Sequence, residues 1–282
     1  MTRETEQYRR TLETDGFVRI EKFYAPAELA PLKERIARII RTVYAQHMGS
    51  QAPAEGFDSE ALQQAYMEMV HHDRKLGGLV YDAVKLIPEF LRITASERNV
   101  ALAGALRGSD FMGIIRGGDG IRIDNPSEET FRAPWHQDYL YQLSGTGALV
   151  FWMPLVDIPQ EIGPIEACIG SHRDGPRPIY YTDEKFAGTS YGMQLANEEQ
   201  IINAYPRTKL TCAAGDLLVI DFLTLHRSGF NRTRFPRWSM QLRYLDFNDP
   251  HGAAIGWRGG FSQGNTLAAI HPELVVQKPP AA

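Results

Sequence analysis

Cysteine is scarce in this chain: 282 residues carry two, Cys168 and Cys212, with no C-x-x-C pair. Both lie in apolar, strand-like surroundings and are expected to be packed thiols, not a disulfide or a metal pair. Long apolar runs are lacking too; none approaches the roughly 18 residues that span a bilayer. No block of Lys or Arg occurs, and 30 basic against 34 acidic residues leave a net charge of −4. Phosphate recognition needs concentrated positive surface, so neither nucleic acid nor an anionic membrane is an expected partner. The opening MTRETEQYRR is charged and has no apolar core of a signal peptide, which favours a cytoplasmic protein acting on a small molecule. Repeats, low-complexity tracts and dividing linkers are absent, and a single domain over residues 1–282 is expected.

What is present is a hydrophobic fraction of 43%, enough for a sizeable core, and a change of texture along the chain. Residues 1–110 read as helix-rich. AELAPLKERIARIIRTV places Leu29, Leu32, Ile36, Ile39, Ile40 and Val43 on one face at helical spacing, after a short strand in GFVRIEKFY. Residues 59–95 suggest two more helices, broken at Gly77-Gly78 and at Pro88. From about 111 to 247 strand patterns dominate: a hairpin in FMGIIRGGDGIRIDN, a doubly buried strand in GALVFWMPLVDI, and further strands in GDLLVIDFLTLH and RWSMQLRYLDF. The tail, 248–282, has little pattern and is expected to fray past residue 262. Helices followed by many strands indicate an α+β protein with a sandwich or barrel core.

Chemistry concentrates in PWHQDYLYQ, residues 134–142. On a strand, positions i and i+2 share a face, so His136 and Asp138 could aim one nitrogen and one oxygen at a common point. Two histidines and one carboxylate form the facial set that leaves positions open on non-haem Fe(II), which requires one more histidine. His226 ends the buried GDLLVIDFLTLH run, where an unpartnered ring would be costly; by itself it could be a ligand or a packed residue. His172, by contrast, reads as a loop-packing residue. Ser228 can share the face of His226. Arg237, Ser239 and Gln241 alternate with Trp238, Met240 and Leu242, giving one polar and one apolar face. A buried Arg237 needs an anion, either the far carboxylate of a dicarboxylate co-substrate or a structural partner such as Asp221 or Asp246.

PWHQD, FWMPLVDI, IGPIEACIGSH, AGDLLVIDFLTLHRSGFNRT and RWSMQLRY, with TDGFVRIEKFYAPAEL near the start, together resemble the phytanoyl-CoA dioxygenase family of Fe(II)/2-oxoglutarate oxygenases, over residues 10–247. The resemblance implies a mainly β core folded as a double-stranded β-helix (a cupin-like jelly roll), with the N-terminal helices packed on one sheet. It implies Fe(II) on His136, Asp138 and His226, and 2-oxoglutarate and O2 as co-substrates, with ascorbate as a stimulant. Arg237 and Ser228 match the family's residues for the far carboxylate of 2-oxoglutarate; Ser239 would share that duty and Trp152 would line the pocket. The chain departs from the family in IGSH, where Pro-Gly-Ser-His is usual, and at residues 162–163, where Asn-Gly is usual. Halogenating relatives carry Ala or Gly at the carboxylate position, so Asp138 favours hydroxylation, with release of succinate and CO2; the alternative is a metal-dependent isomerase or hydrolase that does not use O2. Candidate substrate contacts are Arg122, Tyr139, Tyr180 and Tyr181, the last two in a 172–192 segment expected to be irregular and aromatic-rich, either packed on the N-terminal helices or closing over the site as a lid.

Overall fold

A computed structural model describes residues 2–182, 192–258 and 265–278. Its first helix, α1 (Arg3–Asp15), is capped by the Thr2 hydroxyl, which accepts from the Thr5 amide, and is stopped by Gly16 at φ +86°, a left-handed conformation that favours glycine. Strand β1 (Phe17–Ile20) follows at once. Helix α2 (Pro26–His47) starts with proline in its first turn, where no amide partner is lost. It buries Leu29, Leu32, Ile36, Ile40 and Val43 as the spacing predicts, while Ile39, expected on the same face, is half-buried at its margin. Full burial of each such side chain is worth about 1.5–3 kcal/mol.

The break expected at Gly77-Gly78 lies earlier. Helix α3 (Glu60–His72) ends at Asp73, whose carboxylate accepts from the Lys75 amide and starts α4 (Arg74–Val84). Gly77 is inside α4 because a Cβ there would come within 2.9 Å of Val70 Cγ2: close packing, not a chain break, requires it. Pro88 opens α5 (Pro88–Thr94), and α6 (Glu97–Arg107) is capped by Ser96.

Beyond α6, β2 (Met112–Ile114) and β3 (Gly120–Asp124) do not form the expected hairpin. Both pair with the last long strand, β3 with residues 237–241 and β2 with residues 244–246, end to end along one edge. The one-turn helix α7 (Asp138–Tyr141) precedes β4 (Leu149–Pro154), which is buried on both faces as expected. Then come β5 (Ile165–Cys168), β6 (Ile179–Tyr181), β7 (Met193–Leu195), α8 (Glu198–Asn203) and β8 (Arg207–Leu210). The GDLLVIDFLTLH run is two strands, not one: β9 (Leu217–Asp221) ends in a turn, and β10 (His226–Arg227) joins the other sheet. Strand β11 (Arg237–Asp246) is central.

The large antiparallel sheet runs β1-β9-β4-β11-β2, with β3 also on β11; the small one runs β10-β5-β8, and β6 pairs with β7. Alternation sorts the large sheet cleanly. Ile121, Phe151, Val219, Trp238, Met240, Leu242 and their neighbours form one core with the N-terminal helices. Val150, Trp152, Leu218 and Ile220 face the other way, into a second core with the small sheet. This is the helix-backed double-sheet fold anticipated. The tail is more ordered than expected: α9 (Pro250–Ile255) and α10 (Asn265–Ile270) follow, and Leu267 and Leu274 are buried in the second core. Cys168 and Cys212 are free and buried, and burial pushes their thiols up to about 11 and about 12. No described helix is long and apolar enough to cross a membrane.

Candidate metal centre and its cavities

His136 and His226 face each other across an isolated antiparallel bridge, each amide donating to the other's carbonyl at 2.9 and 3.1 Å. Their rings lie 4.3 Å apart. Each Nδ1 sits beside a backbone carbonyl two residues earlier, Pro134 at 2.8 Å and Thr224 at 2.9 Å. A carbonyl can only accept, so Nδ1 donates in each ring and Nε2 is the atom left for a metal, the arrangement that orients ligating histidines. Asp138 is not on a strand with His136, as the i, i+2 argument supposed; it opens α7. The turn still delivers its carboxylate to the same place, and one ligand atom from each of the three residues lies within 4.8 Å of the others.

All three side chains are buried. Burial, and then the neighbouring His226, push His136 down to about 3, so the ring is neutral at pH 7. Burial acts to raise Asp138, but Arg243 and the two imidazoles prevail and hold it down to about 2. Arg243 grips Oδ1 of Asp138 with Nη2 at 2.8 Å and Nε at 3.2 Å, while Oδ2 lies 3.3 Å from Nε2 of His226. Two imidazole nitrogens and one ionised oxygen, buried and converging, suit a divalent first-row ion that keeps open positions.

Two cavities meet at this point. The larger, about 420 Å³, has His136 and Asp138 in its wall together with Arg122, Tyr141, Gln241 and Arg243. The smaller, about 30 Å³, is lined by Trp152, Ser228, His226, Arg122 and Arg243 among others. Trp152 and Ser228 therefore lie beside the trio, as expected. Ser239, on the same face of β11, has a fully buried hydroxyl with no partner among the described residues. Arg237 is 1% exposed and turns elsewhere: Asp124 Oδ2 accepts from its Nη2 at 2.8 Å and its Nε at 3.2 Å, and the Gly163 carbonyl accepts from Nη1. Neither Asp221 nor Asp246 is its partner; Arg107 pairs with Asp221, and the Ser109 hydroxyl donates to Asp246. Gly163, at the departure from the family's Asn-Gly, has φ +78° and packs its Cα against residues 229–230.

The substrate candidates divide. Arg122 lines both cavities and bonds Oδ1 of Asp124 at 2.8 Å. Tyr139 does not reach the site: it is wholly buried, and its hydroxyl meets Nε2 of His251 at 2.5 Å and of His271 at 2.6 Å. As the second residue of α7 it points away from Asp138, whereas Tyr141, unremarked in the sequence, faces His136 edge-on at 5.8 Å. Tyr180 and Tyr181 lie in the β6–β7 ladder, with the Tyr180 hydroxyl donating to Gln194, and line neither cavity. The 172–192 segment is not irregular throughout, since β6 lies within it; residues 183–191, with Phe186 and Tyr191, fall outside the described residues. His172 packs on the end of α1, with Nε2 3.1 Å from the Glu13 carbonyl. Arg243 was missed, although one further step of the 237, 239, 241 alternation reaches it.

A family model described as phytanoyl-CoA dioxygenase matches residues 12–239. No curated protein matches the chain. Among solved structures, the epimerase SnoN in complex with Fe3+, alpha ketoglutarate and nogalamycin RO is 21% identical, with a TM-score of 0.59 over 93% of this chain and 97% of that one. The non-heme alpha ketoglutarate dependent carbocyclase SnoK is 18% identical, with a TM-score of 0.55 over 94% and 95%. EctD from S. alaskensis with bound Fe is 17% identical, with a TM-score of 0.57 over 99% and 88%. At these identities the likeness concerns the fold.

Proposed function

This chain belongs to the phytanoyl-CoA dioxygenase family, and from that membership we propose that it is an Fe(II)- and 2-oxoglutarate-dependent dioxygenase that hydroxylates an unactivated C–H bond of a small molecule. The observation that carries the reading is the convergence of two imidazole Nε2 atoms and one ionised carboxylate in the wall of the smaller cavity. His136, Asp138 and His226 would hold the metal. When bound, Fe(II) supplies open coordination positions at which O2 and 2-oxoglutarate are turned into an oxidant, succinate and CO2.

The chain's own residues orient and enclose. The Pro134 and Thr224 carbonyls fix both imidazoles, and Arg243 fixes the Asp138 carboxylate while leaving Oδ2 toward His226. Tyr141 and Trp152 wall the site from bulk water. Ser228 and Ser239 would donate hydroxyl hydrogens to the far carboxylate of 2-oxoglutarate, and Arg237 would give it a charged partner by sharing its grip on Asp124. The orphaned Ser239 hydroxyl favours this reading over a metal-dependent isomerase or hydrolase, which needs the metal trio alone. The carboxylate ligand favours hydroxylation over halogenation. SnoN and SnoK are described as an epimerase and a carbocyclase, so related outcomes of C–H attack are the ones to look for if no hydroxylated product forms.

The test is O2 uptake and succinate formation by protein supplied with Fe(II), ascorbate and 2-oxoglutarate. Both should occur, at a slow basal rate without substrate, and disappear in His136→Ala and His226→Ala together with bound iron. Full succinate formation in both variants would sink the proposal.

A further inference from the structure

We propose that the substrate is a small organic oxyanion, with its apolar body over the metal trio and its anionic group held at the outer rim by Lys85 and Arg116. The inference deepens the oxygenase reading and rests on it in one respect, that the metal held by the trio, of which His136 and Asp138 line the larger cavity, is the reactive centre.

The charge of that cavity is lopsided. Four cations line it, Lys85, Arg116, Arg122 and Arg243, against two carboxylates, Asp119 and Asp138. Two of the cations are committed behind the wall, Arg243 to Asp138 and Arg122 to Asp124. A divalent ion and the dianion 2-oxoglutarate would cancel each other and leave the imbalance in place. What remains is Lys85 and Arg116 at the opening, facing Asp119.

Neither rim cation is tightly neutralised. Arg116 is 58% exposed and shares Asp119, at 3.1 Å, with the Gly117 amide. Among the described residues Lys85 pairs at 3.4 Å with Asp82, which is 79% exposed; such surface pairs hold weakly. Its ammonium lies 3.5 Å from the centre of the Tyr81 ring, which orients it without cancelling its charge.

The rest of the lining asks for hydrocarbon. Phe90, Ile121 and Tyr141 form the inner walls, and Leu86 and Tyr81 stand at the rim, exposed by 77% and 39%. A leucine this bare beside a cavity of about 420 Å³ would be covered by an apolar ligand, and the volume is in the range that takes a small molecule. A carboxylate and a phosphate both satisfy the rim chemistry.

Calorimetry on the full chain loaded with Zn(II) and 2-oxoglutarate tests this with three probes: 4-phenylbutyrate, phenyl phosphate and the neutral 4-phenyl-1-butanol. At least one anion should bind about tenfold more tightly than the alcohol, as expected for charge-assisted hydrogen bonds, and the better anion identifies the group. The double variant Lys85→Gln/Arg116→Gln should lose the preference while still binding Zn(II) and 2-oxoglutarate. Equal binding of the alcohol, no binding of either anion, or a preference that survives in the variant would each overturn the proposal. A second arm uses succinate formation by the iron-loaded enzyme on a metabolite extract split by anion exchange. Stimulation should travel with the retained, anionic fraction. Stimulation confined to the unretained fraction overturns the anion but leaves the oxygenase reading standing. No basal or stimulated succinate, with the anions still bound, removes the oxygenase reading and leaves the anion site.

Discussion

The two faces of β11 put opposite chemistry on one ten-residue strand. Outward, toward the helices, stand Trp238, Met240, Leu242 and Tyr244, all wholly buried in the first core. Inward stand Arg237, Ser239, Gln241 and Arg243, equally hidden from water for the most part but matched to carboxylates, to backbone carbonyls, to one another or, for Ser239, to no described group. The outer face is closed; its groups satisfy one another, and Trp238 even donates its indole N–H to Gln63 at 2.9 Å. The inner face is provisional, because its partners are either metal-ligand candidates or a counter-ion that a co-substrate would have to share. Substitutions outside should therefore change stability alone, and substitutions inside should change stability and ligand binding in different directions.

The largest effect belongs to the outer face. Trp238 packs edge-on to Phe57 and Tyr66 at 5.3 Å each. Trp238→Ala should cost about 3–5 kcal/mol of stability, read by urea unfolding, with metal and 2-oxoglutarate affinity unchanged in the fraction that stays folded. A specific loss of 2-oxoglutarate binding at full stability would erase the division between the faces.

Asp124→Asn is the sharper probe of the inner face. Asp124 is held ionised against its own burial by Arg122 and Arg237, and removing its charge leaves one buried and one half-buried guanidinium under-matched. Breaking such a pair costs about 3–5 kcal/mol when the partner is removed outright; the isosteric amide should cost less, about 2–3 kcal/mol, because its oxygen still accepts a hydrogen bond. Yet the same change frees Arg237 for the co-substrate, so 2-oxoglutarate should bind about tenfold more tightly, the low end of what one adjacent opposite charge is worth. Stability down and affinity up is the expected pair of signs, by thermal melts and calorimetry. If Arg237 serves Asp124 alone, stability falls and the 2-oxoglutarate affinity does not rise.

Acid should act on the trio itself. In metal-free protein His136 titrates at about 3, against about 6.5 in an unfolded chain. Between those values the unfolded state binds the extra proton, so stability is lost as pH falls from 6.5 toward 3, by up to about 1.4 kcal/mol per unit. The depressed Asp138 works in the same direction but only below about pH 4, since its stabilising contribution is present above the unfolded value near 3.9 and is lost as pH falls toward the folded one. Chelator-treated protein should be about 2 kcal/mol less stable at pH 5 than at pH 7, and His136→Gln should flatten that slope. A slope unchanged in the variant would assign the acid sensitivity to other groups.

How much of this was legible in the sequence follows from which interactions are local. Helix α2, the doubly buried β4 and the two faces of β11 were readable because periodicity of 3.6 or 2 is written in consecutive residues. The trio was readable only in part. His136 and Asp138 were found by assuming a strand, whereas a bridge residue followed by a helical turn brings them together, and pairing them with His226 needed the family pattern. The partners of β2 and β3 were not readable, since two short strands around a Gly-rich turn look like a hairpin until β11 claims both. Asp124 as the counter-ion of Arg237 was hidden for the same reason: it depends on the register of β3 against β11, in which Arg237 lies opposite Asp124. Tyr139 was assigned to the site by its closeness in sequence to Asp138, and the 100° step of α7 turned it into the core.

The smallest expected effect is on the residue with least to lose. The Ser239 hydroxyl is wholly buried, lies on the inner face opposite Arg122 and Pro154 of the neighbouring strands, and has no hydrogen-bond partner among the described residues. An unsatisfied buried hydroxyl destabilises a fold, so its removal breaks no bond and relieves a desolvation cost. Ser239→Ala should therefore leave the melting temperature of the ligand-free protein unchanged or slightly raised. If the hydroxyl waits for the far carboxylate of 2-oxoglutarate, the same variant should bind that ligand more weakly by about 1.5–3 kcal/mol, the worth of a hydrogen bond to a charged group. The two measurements then move in opposite senses, the inverse of Asp124→Asn, and together they bracket the inner face from both sides. A variant that binds 2-oxoglutarate normally would leave the orphaned hydroxyl without a ligand to explain it and would shift the co-substrate toward Ser228 and Arg122 in the smaller cavity.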